Sequence, residues 1–199
     1  MKYLGKPAGM WALFAGSFEK HLTVEFDLTA GQAKDVAARA KKKYREIIAK
    51  LPEFDKRDRF EMNIVNCAML AAFILCMPQR PDIKTLTDYY AAAMMTPTMK
   101  AFCRASGKKK FTPKDIEGMK ATAKLRAGDR NPYSWNMDFF EYEDGSGYEA
   151  RFTTCGICTL MQVLGLYDLT PALCHLDYTM SDAGGASDFV REYTLVSGG

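Results

Sequence analysis

From about Thr29 to Ala127, apolar residues recur at the three-to-four spacing of helices with one inward face. "TAGQAKDVAARAKKKYREIIAKL" opens with a capping residue, Thr29, and sets Val36, Ala40, Tyr44, Ile47 and Leu51 on one stripe before Pro52 stops it. "DRFEMNIVNCAMLAAFILCM" is apolar on nearly every face, the pattern of a central buried helix, and Pro78 and Pro81 end it. "DIKTLTDYYAAAMMTPTMKAFCRA" predicts a helix with a break at Pro97, closed by Gly107. "TPKDIEGMKATAKLRAG" predicts another, with Thr112 as N-cap, Pro113 at the first helical position and Gly128 past its end.

From about Asn131 the period changes. "WNMDFFEYE" and "YEARFTT" alternate around the glycine-rich "DGSG", which predicts a β-hairpin over 137–143 and 147–153. A helix follows at "CGICTLMQVLGLY", with Ile157, Leu160, Met161 and Leu164 as its stripe, and another runs from Thr170-Pro171 to Gly184-Gly185. "DFVREYTLVS" alternates again and predicts a third strand of the same antiparallel sheet over 188–196. The aromatic face of that sheet is expected to lie against the helices beginning at Cys155 and Pro171. The fold class is therefore α+β: a helical region over 1–130 packed with a hairpin-helix-helix-strand region over 131–199. A chain of 199 residues is long enough to make this one compact unit.

Charge changes this picture little. The formal net charge is +3, and the lysines form two short runs, Lys41-Lys42-Lys43 and Lys108-Lys109-Lys110, without interleaved aromatics. That is the pattern of solvated surface rather than a nucleic-acid face. The apolar run Cys67 to Met77 is too short to span a bilayer, so no membrane partner is expected. The N-terminal "MKYLGKPAGMWALFAGSF" is broken by Gly9 and Gly16 and lacks a small-residue cleavage site, which speaks against a secretory signal. A cytoplasmic location follows, with the six cysteines reduced.

Those thiols are the chemistry to explain. Cys155 and Cys158 form a C-x-x-C at a helix start, where free N–H groups and the helix dipole favour thiolate. On the next helix Cys174, Asp177 and Tyr178 share one face, with His175 about a quarter-turn away and Leu173, Leu176 and Met180 on the packing face. Three readings compete. A redox dithiol normally follows the first strand of a βαβ unit, a pattern not seen in this sequence. Cys155, Cys158, Cys174 and Asp177 nearly copy a two-pair zinc spacing, but lie within helices rather than knuckles. Buried thiols also behave simply as small hydrophobes. Cys67, Cys76 and Cys103, on apolar helical faces, fit that last reading, and His21 reads as surface. Arg151 and Arg191, each between aromatic neighbours on a predicted strand, suit either a carboxylate clamp or pairing with Glu149 or Glu192. An ionised Asp177 on an apolar helix needs a cation or water, so Cys174 and Asp177 are expected to face a pocket between their helix and the sheet.

The run "TTCGICTLMQVLGLYDLTPALCHLDYTMSD", followed by "REYTLVSGG", combines a cysteine opening a helix, a later Cys-x-x-Asp and an Arg-x-x-Thr-Leu segment ending in glycines. This resembles the L-2-amino-thiazoline-4-carboxylic acid hydrolase family, and "GKPAGMWALFAGSFEKHLTVEF" is similar to its N-terminal region more loosely. The resemblance implies hydrolytic opening of a cyclic amidine to a carbamoyl-cysteine-type product, on a small substrate bearing a carboxylate. It implies Asp177 as base, His175 or Tyr178 as proton donor, Arg151 or Arg191 as carboxylate clamp, Cys155 at the substrate and Cys174 as an alternative nucleophile. No cofactor and no metal are expected. A non-catalytic binding module and a metal-dependent variant remain alternatives.

Overall fold

The computed structural model describes residues 7–54 and 60–198. Gly5 and Lys6 of the N-terminal resemblance, and Asp58 and Arg59 at the start of the expected central helix, lie outside the described residues. The chain runs α1 (Pro7–Glu25), α2 (Ala30–Lys50), α3 (Glu61–Ile74), α4 (Ile83–Met94), α5 (Pro97–Gly107) and α6 (Pro113–Arg126). Strands β1 (Met137–Glu141) and β2 (Tyr148–Phe152) follow, then α7 (Gly156–Val163), α8 (Thr170–Cys174) and α9 (Leu176–Gly184). The class is α+β, with a small antiparallel hairpin beside a helical body.

The helical caps are local chemistry. Thr29 accepts from the Gln32 N–H while the Gln32 side chain accepts from the Thr29 N–H at 2.9 Å, a reciprocal cap for α2. Thr112 caps α6, with Pro113 next. Pro97 likewise opens α5 behind its Thr96 cap, so the expected break is a full change of helix. The apolar α3 sits in the middle of the core, between α1, α2 and α7. Helix α1, not anticipated from sequence, buries Met10, Phe14, Phe18 and Leu22, one residue per turn. Its Phe18 meets Tyr89 edge to face at 5.6 Å, and the Tyr89 hydroxyl donates to the Phe18 carbonyl at 3.2 Å. Leu160, Met161, Leu173 and Leu176 from the second half join the same core cluster.

Two expectations change. Residues 188–196 form no strand: the segment is irregular apart from a 3-10 turn at Leu195–Ser197, and β1–β2 is a two-stranded sheet. The hairpin lies beside α6 rather than against α7 and α8, tied by Lys120 to Glu141 at 2.8 Å, and only its Met137–Phe152 end reaches inward. Aromatic alternation was satisfied locally instead, by Phe139 and Phe111 against Tyr148.

One glycine fixes the second half against the first. A Cβ at Gly156 would lie 2.0 Å from the Tyr133 carbonyl oxygen and 3.0 Å from Ile64 Cδ1. Backbone therefore packs on backbone where α7 begins, with α3 on the other side. Gly156→Ala should lower stability by about 1–3 kcal/mol or more, because the obstruction is main chain. Gly16, with nothing within 4 Å of its added Cβ in mid-α1, should respond oppositely to alanine, gaining about 0.5–1 kcal/mol. Denaturant midpoints of the two variants check both signs.

Candidate functional site

The loop from Asn131 to Asn136 carries the start of α7. Arg126, buried at the end of α6, donates to Ser134, and Asn136 Nδ2 donates to the Arg126 and Asp129 carbonyls at 2.8 and 3.3 Å. The Asn136 N–H donates to Thr154 Oγ1 at 2.8 Å, and Thr159 Oγ1 to the Pro132 carbonyl at 2.6 Å. Trp135 is thereby buried with its indole towards Cys155.

Cys155 occupies the N-cap position of α7 with extended backbone. The Cys158 thiol donating to it lowers its pKa to about 6; the Cys158 and Ile157 N–H groups and the Trp135 indole add to this, against burial. The Cys155 side chain makes no capping hydrogen bond, but its position at the positive end of the α7 dipole favours the anion. Cys158 is the complement, pushed far up because the same hydrogen bond and burial hold its proton. Burial raises Cys174 to about 11, with Arg191 working the other way. Cys67 on α3 is raised chiefly by burial, shares a hydrogen bond with Tyr90, and feels Cys155, Cys174 and Asp177. The expected hydrophobic setting of Cys67, Cys76 and Cys103 is what the structure contains, yet Cys67 also backs the thiol group. Among the described residues, no group of three or more Cys, His, Asp and Glu is placed to hold a metal ion.

On the other side of Cys174 lies the C-terminal segment. The expected single helix is two, α8 and α9, joined at His175. Arg191 folds back on this junction, Nη1 donating to the Cys174 carbonyl at 2.8 Å and Nη2 to Asp177 Oδ2 at 2.6 Å. Its guanidinium stacks 4.8 Å from the Phe189 ring centre and 5.7 Å from that of Tyr178, whose hydroxyl donates to the Arg191 carbonyl at 3.4 Å. Asp177 thus has its cation, although its side chain remains 54% exposed. Leu173 and Leu176 turn into the core as expected.

The concavity is not between helix and sheet. It is a crevice of about 280 Å³ between α8–α9 and the C-terminal segment, lined by Cys174, His175, Tyr178, Arg191, Tyr193 and Ser197 among others. The correction has the same cause as the missing strand: Arg191 draws residues 189–197 over the helix. A larger depression, about 450 Å³ between α4, α5 and α9, holds Asp88 and Lys100 but no thiol. Arg151 belongs to neither: it is exposed on β2, paired with Glu149 at 3.2 Å and stacked on Phe140. His21, expected at the surface, is half-buried, its Nδ1 3.6 Å from Glu25.

Sequence reasoning missed Gly156, Trp135 and the approach of Cys67. The glycine inside C-G-x-C was a readable sign of close backbone packing; Cys67 gave none. Removing the guanidinium should free the C-terminal segment. Arg191→Met is expected to cost about 1–2 kcal/mol locally and raise chymotryptic cleavage at Phe189 and Tyr193 about tenfold. Arg151→Met should leave that cleavage unchanged.

No curated protein and no solved structure matches the chain. The family model described as L-2-amino-thiazoline-4-carboxylic acid hydrolase matches residues 62–199, from α3 through the thiols, the Cys-x-x-Asp and the crevice. The looser N-terminal resemblance falls outside that span. With more than half its length matched, including every residue of the thiol group and the Arg191 contact, the chain belongs to the L-2-amino-thiazoline-4-carboxylic acid hydrolase family.

Proposed function

We propose that this protein is a hydrolase that opens the ring of a 2-amino-thiazoline carboxylate, giving a carbamoyl-cysteine-type product. The observation that carries the reading, beside family membership, is the placement of Cys155 at the N-cap and Cys158 in the first turn of α7, an environment that pulls the Cys155 pKa down and pushes the Cys158 pKa up. A nucleophile and an acid on one helical turn are what ring opening needs.

In this reading Cys155, rather than Cys174, is the nucleophile. Its sulfur adds to the ring carbon between nitrogen and sulfur. The ring C–S bond then breaks, and the departing ring sulfur takes the Cys158 proton. Water adds to the resulting isothiourea carbon with Asp177 as base, one water proton passing to the former ring nitrogen, and Cys155 leaves as thiolate while the second water proton restores the Cys158 thiol. The net change is substrate plus one water. N–H groups at the helix start stabilise negative charge on the attacking and leaving sulfur.

The crevice would take the carboxylate. Arg191 spends one donor from each terminal nitrogen on Cys174 and Asp177 and has further N–H groups to offer. His175 and Tyr178 border the same space and would trade protons with the substrate amine. Arg151 has no part in the reading, and no cofactor is invoked. A cytoplasmic setting, with thiols kept reduced, suits the chemistry. Among the described residues no helix is long and apolar enough to cross a membrane.

Incubation with 2-amino-thiazoline-4-carboxylate should release a small-molecule thiol. Cys155→Ser should lower kcat at least about 100-fold, and Cys174→Ser less than about tenfold. Asp177→Asn should lower kcat while leaving the fold intact. Binding without ring opening would make the protein a binding module instead, and full turnover by Cys155→Ser would remove the covalent route.

A further inference from the structure

We propose that Cys155 and Cys158 are also a thiol-exchange site, which low-molecular-weight disulfides of the glutathione type convert to a reversible intramolecular disulfide. Nothing in the ring-opening chemistry requires this, and the proposal does not rest on that reading.

The geometry is that of a side chain folded back over the first turn of a helix. Cys155 is the N-cap with φ −137° and ψ 114°, and Cys158 is the third helical residue. An N-cap side chain in extended backbone lies over the first turn of its helix, which places the Cys155 and Cys158 side chains on the same turn. Both cysteines are free, and both are half-buried, so a small reagent has access. Cys67, Cys76 and Cys103 are buried. The close packing of Gly156 on Tyr133 fixes the start of α7, and with it the turn that carries both cysteines. Burial keeps the nearby Cys174 thiol protonated, and its helix is engaged by Arg191.

The exchange balances without a further reagent. The Cys155 thiolate attacks one sulfur of the disulfide, forming a mixed disulfide and expelling a thiolate that takes the Cys158 proton. The Cys158 thiolate then attacks Cys155 Sγ and expels the second small thiolate. The protein loses two electrons and the reagent gains them.

The test uses the full, reduced chain and oxidised glutathione, followed by alkylation and mass analysis of the tryptic fragment spanning 152–191, which contains Cys155, Cys158 and Cys174. The expected product has lost two hydrogens, carries one alkyl group on Cys174, and returns to the reduced form with a thiol reductant. Cys158→Ser should accumulate glutathione on Cys155, and Cys155→Ser should slow all reaction of the fragment at least about tenfold. Three results would overturn the proposal: a bond joining Cys174 to either partner, a wild-type fragment that stays reduced, or a Cys158→Ser protein that gathers no adduct.

Discussion

The start of α7 can sit where it does only because residue 156 has no side chain. Its backbone lies against the Tyr133 carbonyl on one side and Ile64 of the central helix on the other. That contact carries the site with it. The loop holding Tyr133 is stitched to the end of α6 through Asn136 and to the start of α7 through Thr154 and Thr159. Cys155 is consequently presented to N–H dipoles and an indole inside a half-buried niche. Burial alone would push a thiol up; the Cys158 thiol first, then the N–H groups and the indole, reverse the sign. The same niche leaves Cys158 holding its proton, so one turn of helix makes two chemically different thiols.

Cys174 connects this niche to the crevice. Its side chain feels the Cys155 sulfur, while its carbonyl takes a hydrogen bond from Arg191. Arg191 in turn supplies the partner that a carboxylate on an apolar helix requires, and its flat guanidinium lies against the paired rings of Phe189 and Tyr178. One arginine therefore orders Asp177, the α8–α9 junction and the wall of the crevice. An ion pair this exposed is worth little through charge alone. Its value lies in the stacking and the carbonyl contact that accompany it.

Much of this was legible in the residues. The caps Thr29 and Thr112 and the breaks at Pro52, Pro78 and Pro97 act locally, so α2, α3 and α6 could be placed from pattern and α4 and α5 read as one helix broken at Pro97. The hairpin followed from alternation around "DGSG", and Cys155 at a helix start predicted thiolate character. The failures share a cause: period reports which side of the chain faces protein, not what it faces. Arg191 turns inward while Val190 is 80% exposed, so residues 188–196 alternate like a strand while lying on a helix. In α1, Gly9 and Gly16 obscured a stripe of Met10, Phe14, Phe18 and Leu22. No residue at 175 announced a junction, since His175 keeps right-handed helical angles. That Cys67 approaches Cys155 and Cys174 depends on α3 packing against α7, which only the assembled chain reveals.

The central claim is that the α7 start holds Cys155 as a thiolate under neutral conditions. The rate of Cys155 alkylation by iodoacetamide, followed against pH in the reduced protein, measures this directly. With its pKa lowered, the thiolate gives way to the thiol only as pH falls through about 6. The rate should therefore be half-maximal near pH 6 and level by pH 7.5, while Cys174 stays slow until about pH 11. A Cys155 midpoint at the ordinary thiol value of about 8.5 or above would contradict the account.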